Sequence, residues 1–174
     1  MNSESRPRLR GNKRIAYENL IKKERRILVI GDIHAPFSLD GYLDFCKEVY
    51  AKHNLNQVIF IGDILDNHYS SYHETDPNGL SGGDELDIAI AQVADWSEAF
   101  PVADVIIGNH DRLIMRKAFS SAVPKEWIKS YNEVLGTSWN WTERIVYDNV
   151  QFVHGEGGTA RTIARNDMMS TASG

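Results

Sequence analysis

Four short stretches of this chain end in residues that hold cations or move protons. In order they are Gly31-Asp32-Ile33-His34, Gly62-Asp63-Ile64-Leu65-Asp66, Gly108-Asn109-His110-Asp111 and His154-Gly155. Carboxylates, imidazoles and an amide oxygen together suit a hard or borderline divalent cation such as Mn²⁺, Fe²⁺ or Zn²⁺, and no cysteine lies among them to favour a thiolate site. A donor set this large suits two cations, with one shared carboxylate holding them roughly 3.5–4 Å apart. Singly, each stretch has an ordinary explanation, because an Asp or Asn after a strand commonly serves a turn. Gly-Asn-His-Asp is the least ordinary, since no turn geometry requires the intervening His. The chain contains no G-x-x-x-x-G-K-[ST] and no H-E-x-x-H to suggest a rival chemistry.

Rigid elements must carry these clusters. "RRILVIGD", "NQVIFIGD" and "VADVIIGN" are short, β-branched apolar runs, the pattern of strands buried on both faces. Between the first two, "SLDGYLDFCKEVYAKHN" places Leu39, Tyr42, Leu43, Phe45, Val49 and Tyr50 near helical spacing, with Ser38 or Asp40 as the cap. Between the second and third, "DELDIAIAQVADWSEAF" predicts a helix whose inner face is Leu86, Ile90, Val93 and Ser97, widened by Ile88, Ala91 and Trp96. Strand, helix, strand, helix, strand implies parallel pairing with right-handed crossovers, which brings the strand-end clusters to one edge of the sheet. Beyond Asp111 the sequence predicts helices over "RLIMRKAF" and over "PKEWIKSYNEVLG", the second opening at Pro124 and closing at Gly136. "RIVY" and "VQFVH" flank Asp148-Asn149, a hairpin signal, and the hairpin is expected to join the sheet and deliver His154. A last helix is expected over "TARTIARNDMM". The predicted fold class is therefore α/β, with a mixed sheet, a parallel β-α-β core and a C-terminal hairpin.

These four motifs, in this order, resemble the signature of the calcineurin-like metallophosphoesterases: D-x-H, G-D-x-x-D, G-N-H-[DE], a lone His, then G-H-x-H. The resemblance spans residues 27–174 and implies a layered α/β sandwich that hydrolyses phosphate mono- or diesters at two divalent metal ions. Carried over position by position, it implies that Asp32 and His34 bind the first metal, Asp63 bridges both, and Asn109 and His154 bind the second. His110 is then not a ligand. It hydrogen-bonds the phosphate and protonates the leaving oxygen, with Asp66 holding its ring. No G-H-x-H follows His154, so the chain reads as incomplete before that motif, each metal short of one histidine and the later strands missing. His68 and His73 are offered as substitutes only from a loop, which is a poor place to fix a metal ligand. A second reading accordingly stays open: a catalytically impaired metal-binding fragment, or an accessory module associated with nucleic acid.

Charge divides the chain unevenly. Residues 1–26 hold nine of the 19 Lys+Arg and three of the 24 Asp+Glu, a net +6, and the remainder carries −11. The expected organisation is a basic N-terminal arm, 1–26, and a metallophosphoesterase domain, 27–174. The arm either follows a phosphate backbone weakly or is a solvated, frayed terminus. Residues expected around a phosphoester substrate are Arg112, Arg161 and Arg165, the last two sharing a helix face, with His68, Tyr69, Tyr72 and His73 from the irregular stretch 66–83. A sheet edge left bare by missing strands is expected to pair with a second copy. No apolar run approaches the roughly 20 residues of a membrane span and no secretory signal opens the chain, so a cytoplasmic location is expected. The one cysteine, Cys46, reads as a buried thiol.

Overall fold

The structure, a computed structural model, describes residues 25–71 and 76–155. The three apolar runs form β1 (Ile27–Ile30), β2 (Gln57–Phe60) and β3 (Asp104–Ile106), paired in parallel in that order. Burial on both faces explains their unbroken apolar character: Ile59, Phe60, Val105 and Ile106 are all inaccessible to solvent. A fourth parallel strand, β4 (Asn140–Thr142), extends the sheet beyond β3 with Trp141 opposite Val105. The sequence did not announce it, because "NWT" has no apolar run and its pairing is made by tertiary contact.

Helix α1 (Tyr42–Lys52) starts from Gly41, whose φ of +77° only glycine adopts freely, and not from a Ser38 or Asp40 cap. It buries Cys46 as expected, but Phe45 is 60% exposed and Leu39 78% exposed, so the inner face lies slightly to one side of the expected one. Helix α2 (Gly82–Ala99) is capped by Ser81, which accepts from the Asp84 amide. Its buried stripe is Glu85, Ala89, Val93 and Trp96, whereas Ile88 is 47% exposed and Ala91 is exposed. The expected face is thus rotated so that a carboxylate, Glu85, points inward. Helix α3 (Leu113–Ser120) matches expectation. The stretch after Pro124 does not form one helix: a 3₁₀ turn at Lys125–Trp127 gives way to extended Ile128, and α4 (Tyr131–Leu135) starts anew. The Ser130–Glu133 capping box fixes that restart, and Gly136 closes it at positive φ.

Aromatic rings fasten the helices to the sheet. Trp96 meets Tyr42 and Phe60 edge-on at 5.4 and 6.0 Å, and Trp139 lies 4.7 Å from Phe60. The buried Trp139 Nε1 donates to the Phe100 carbonyl at 2.8 Å, so its polar atom is satisfied. The predicted hairpin is present as β5 (Arg144–Tyr147) and β6 (Val150–Val153), turned by Asp148 and Asn149 at φ of 51° and 66°. It stands as a two-stranded sheet of its own and does not pair with the four-stranded one. A hydrogen bond from Tyr147 Oη to Asp104 anchors it to β3 (2.8 Å). No helix among the described residues is long and apolar enough to cross a membrane.

Candidate metal centre

The loops leaving β1 and β2 are zipped together by main-chain hydrogen bonds. His34 N donates to the Asp63 carbonyl (2.9 Å), Ala35 N to Ile64 (2.8 Å), and Asp66 N back to Ala35 (3.0 Å). That ladder fixes Asp32 and His34 relative to Asp63 and Asp66. Asp32, His34 and Asp63 each sit in the left-handed region, at φ of 47°, 47° and 53°, which Asp and His tolerate better than most side chains. The loop after β3 is locked to the same frame by Asp111. Fully buried, Asp111 accepts from the amides of Asp63 (3.0 Å), Leu65 (3.1 Å) and Gly108 (2.9 Å). Burial pushes its carboxyl up to about 6 against the pull of those amides.

Two glycines allow the close approach. A Cβ on Gly108 would fall 2.1 Å from Asp63 Oδ1, and one on Gly62 would fall 2.4 Å from His154 Nδ1. The glycines before Asp63 and Asn109 are therefore a spatial requirement and not merely a turn preference, whereas a Cβ on Gly31, before Asp32, would meet only Ile61 at 3.4 Å.

The donor atoms converge as the sequence motifs suggested. Asp63 Oδ2 lies 3.7 Å from His34 Nε2 and 3.3 Å from His154 Nε2, while Asp63 Oδ1 accepts from the His110 amide at 2.9 Å. His154 Nε2 also lies 2.8 Å from Asn109 Oδ1. Hydrogen bonds on the far ring nitrogens decide the tautomers. His154 Nδ1 is 2.8 Å from the Ile61 carbonyl, which only accepts, so Nδ1 donates and a neutral ring presents a lone pair at Nε2. His34 Nδ1 likewise faces Asp66 Oδ1 at 2.8 Å, leaving its Nε2 lone pair toward Asp63. With the His154 ring neutral, lone pairs of His154, Asn109 and Asp63 face one another, an arrangement that suits a cation. Asp32, His34 and Asp63 offer ligand atoms all within 4.8 Å of one another, and so do His34, Asp66 and His110. The residues present fit divalent cations.

Asp66 is placed differently from expectation. Its carboxylate holds His34, and the His110 ring is held by the Asp66 main-chain carbonyl, 2.6 Å from Nδ1, with the carboxylate oxygen at 3.6 Å. His110 Nε2 makes no hydrogen bond among the described residues. His34 and His110 meet edge-on with centroids 4.7 Å apart.

Of the expected substrate residues, His68 stands near the cluster, its Nδ1 3.9 Å from Asp66 Oδ2. Tyr69 packs on Gly82 and lines an apolar cavity of about 560 Å³ between α2 and α4. Arg112 donates to the Ile107 carbonyl at 3.0 Å and to Glu143. Tyr72, His73, Arg161 and Arg165, together with the expected last helix and nearly all of the basic arm, lie outside the described residues. Two contributors had gone unassigned. Asp111 carried a signal in the fourth position of its motif. Asn67, buried at φ 51° with Nδ2 donating to the His110 carbonyl (3.0 Å), did not, since an Asn after a strand reads as an ordinary turn.

A family model described as calcineurin-like phosphoesterase matches residues 25–171. No curated protein and no solved structure matches the chain.

Proposed function

Because the chain belongs to the calcineurin-like phosphoesterase family, we propose that it hydrolyses phosphate mono- or diesters with two divalent cations of the Mn²⁺, Fe²⁺ or Zn²⁺ kind. Asp32 and His34 would hold one, Asn109 and His154 the other, and Asp63 both. The observation that carries this reading is the position of Asp63 Oδ2 between two imidazole lone pairs, at 3.7 and 3.3 Å. When bound, such cations supply Lewis acidity toward the phosphoryl group and toward water.

The protein's own groups do the rest. Asp66 sets the tautomer of His34 through its carboxylate and fixes the His110 ring through its carbonyl. With Nδ1 donating to that carbonyl, His110 carries a proton at Nε2 only as the imidazolium, and in that form Nε2 would meet a phosphoryl oxygen and pass its proton to the leaving oxygen. Its main-chain amide holds Asp63 Oδ1, so the proton donor and the shared carboxylate are positioned by one contact. Hydrolysis of p-nitrophenyl phosphate and bis(p-nitrophenyl) phosphate with added Mn²⁺, and its loss in chelator, tests the activity. Asp63→Asn should abolish turnover and lower metal content at both positions, whereas His110→Ala should lose rate and keep its metals. An Asp63→Asn protein with a full metal complement refutes the shared-carboxylate assignment.

A further inference from the structure

Glu85 is a buried carboxylate that the metal centre does not use. It lies in the first turn of α2, 3% exposed, and among the described residues its carboxylate makes one hydrogen bond, accepting from the His68 amide at 2.8 Å. Burying a carboxylate is costly, and an apolar side chain would fill this stripe of α2 without that cost. What the carboxylate achieves is local: it fixes the main chain of His68.

The neighbours of His68 are clamped as well. Asn67 is tied to the His110 carbonyl, Ser70 N donates to the Asn67 carbonyl at 2.9 Å, and the Tyr69 ring lies on Gly82, where a Cβ would come within 2.6 Å of it. The imidazole of His68, by contrast, makes no hydrogen bond among the described residues and is 47% exposed. It stands on the Oδ2 side of Asp66, whose Oδ1 is 2.8 Å from His34 Nδ1 and 3.6 Å from His110 Nδ1. A rigid main chain beneath an uncommitted ring, beside the residue that orders both His34 and His110, suits a contact made to something that arrives.

We infer that Glu85 is a positioning residue, which acts through the main chain of His68 to hold that imidazole where it donates a hydrogen bond to a phosphoryl oxygen of the substrate. This rests on the hydrolase reading above. Glu85→Ala should lower kcat/KM by about 10–100-fold, since displacements near 1 Å at a reacting group cost about that much. Glu85→Gln, which keeps an acceptor oxygen for the His68 amide, should restore most of it. His68→Ala should lose as much as Glu85→Ala, and the double variant should lose no more than either alone. Mn²⁺ binding, measured by calorimetry, should be unchanged in all of them.

Additive losses, or a Glu85→Gln protein as impaired as Glu85→Ala, overturn the inference. Should Glu85→Ala not fold, Glu85→Asp takes its place, because it keeps the charge and withdraws the oxygen from the His68 amide. A second readout does not depend on turnover: in the metal-free protein, the His68 ring resonance should shift on adding inorganic phosphate in wild type and Glu85→Gln, and not in Glu85→Ala. Absent turnover in the wild type refutes the hydrolase reading alone. An unmoved His68 resonance refutes the role given to Glu85.

Discussion

Gly108→Ala puts one methyl group into the closest contact of the metal centre. The added Cβ would lie 2.1 Å from Asp63 Oδ1, 2.3 Å from Asp63 N and 2.9 Å from Asp63 Cγ. Two of those are the carboxylate itself and one is main chain, so rotation of a flexible side-chain end cannot relieve the overlap. Asp63 or the loop after β3 must move by about 1 Å, and overpacking of that kind costs about 1–3 kcal/mol. The same movement breaks the bond from the His110 amide to Oδ1 and carries Oδ2 away from the two Nε2 atoms it faces. The expected result is a loss of about 10–100-fold in Mn²⁺ affinity and of about 100-fold in kcat/KM. Titration calorimetry on the metal-free protein reads the first, and steady-state hydrolysis of a p-nitrophenyl ester the second. Gly83→Ala is the matched control, for its nearest atom would be 3.9 Å away, and it should leave both quantities unchanged. A Gly108→Ala protein that binds Mn²⁺ as tightly as wild type would show that the glycine serves the turn and not the approach to Asp63.

Asp66→Asn should weaken Mn²⁺ binding by about 10–100-fold through His34, because the partner that orders a ligand ring is worth that much; calorimetry that finds no change would mean the Asp66–His34 contact is incidental. Asp111 makes the metal-free protein sensitive to mild acid in an unusual sense. Its carboxyl, raised to about 6 by burial, holds its proton more tightly folded than unfolded, so its contribution is full below about pH 4 and is lost as pH rises through 6. The loss amounts to about 3 kcal/mol, and urea unfolding across pH 4–7 should show it in wild type and not in Asp111→Asn. Wild-type stability that rises over this window relative to the variant would mean that the three amides outweigh burial. Deleting residues 1–23 should leave Mn²⁺ binding and thermal stability intact and reduce salt-sensitive DNA binding; a DNA affinity that does not change tells against the basic arm.

The strands and the metal-type residues were legible because both announce themselves locally: a buried strand needs an apolar run, and its end is where a parallel sheet exposes side chains together. What the sequence hid was arrangement. β4 could not be read because, although Trp141 and Thr142 favour strands, a three-residue run with no buried side chain gives no pattern without the pairing to β3. The inner face of α2 was misread because periodicity counts Ile88 as core and Glu85 as surface, while the fold uses Glu85 for a main-chain contact and leaves Ile88 outside. Asp66 was recognised as an acid near His110, but only coordinates reveal that its two kinds of oxygen divide the work, carboxylate to His34 and carbonyl to His110.

That division matters for the chemistry more than the presence of the residues does. A histidine can hold a cation only through a nitrogen without a proton, and neither His34 nor His154 determines by itself which nitrogen that is. His34 is decided by a side chain on the neighbouring loop of the same zipped ladder, and His154 by the carbonyl of Ile61, immediately before the Gly62 whose missing Cβ makes room for the ring. His110 is decided by a carbonyl as well, yet its remaining nitrogen is left unengaged while those of His34 and His154 face Asp63. Three imidazoles, each with Nδ1 committed, are therefore told apart by where Asp63 sits, two with Nε2 facing its carboxylate and one with Nε2 unengaged, and Asp63 is in turn fixed by Asp111 behind it. Any substitution that frees Asp63 from Asp111 should blur that sorting, and the sign to look for is metal affinity that stays low at temperatures where the variant, though less stable for its orphaned amides, is still folded.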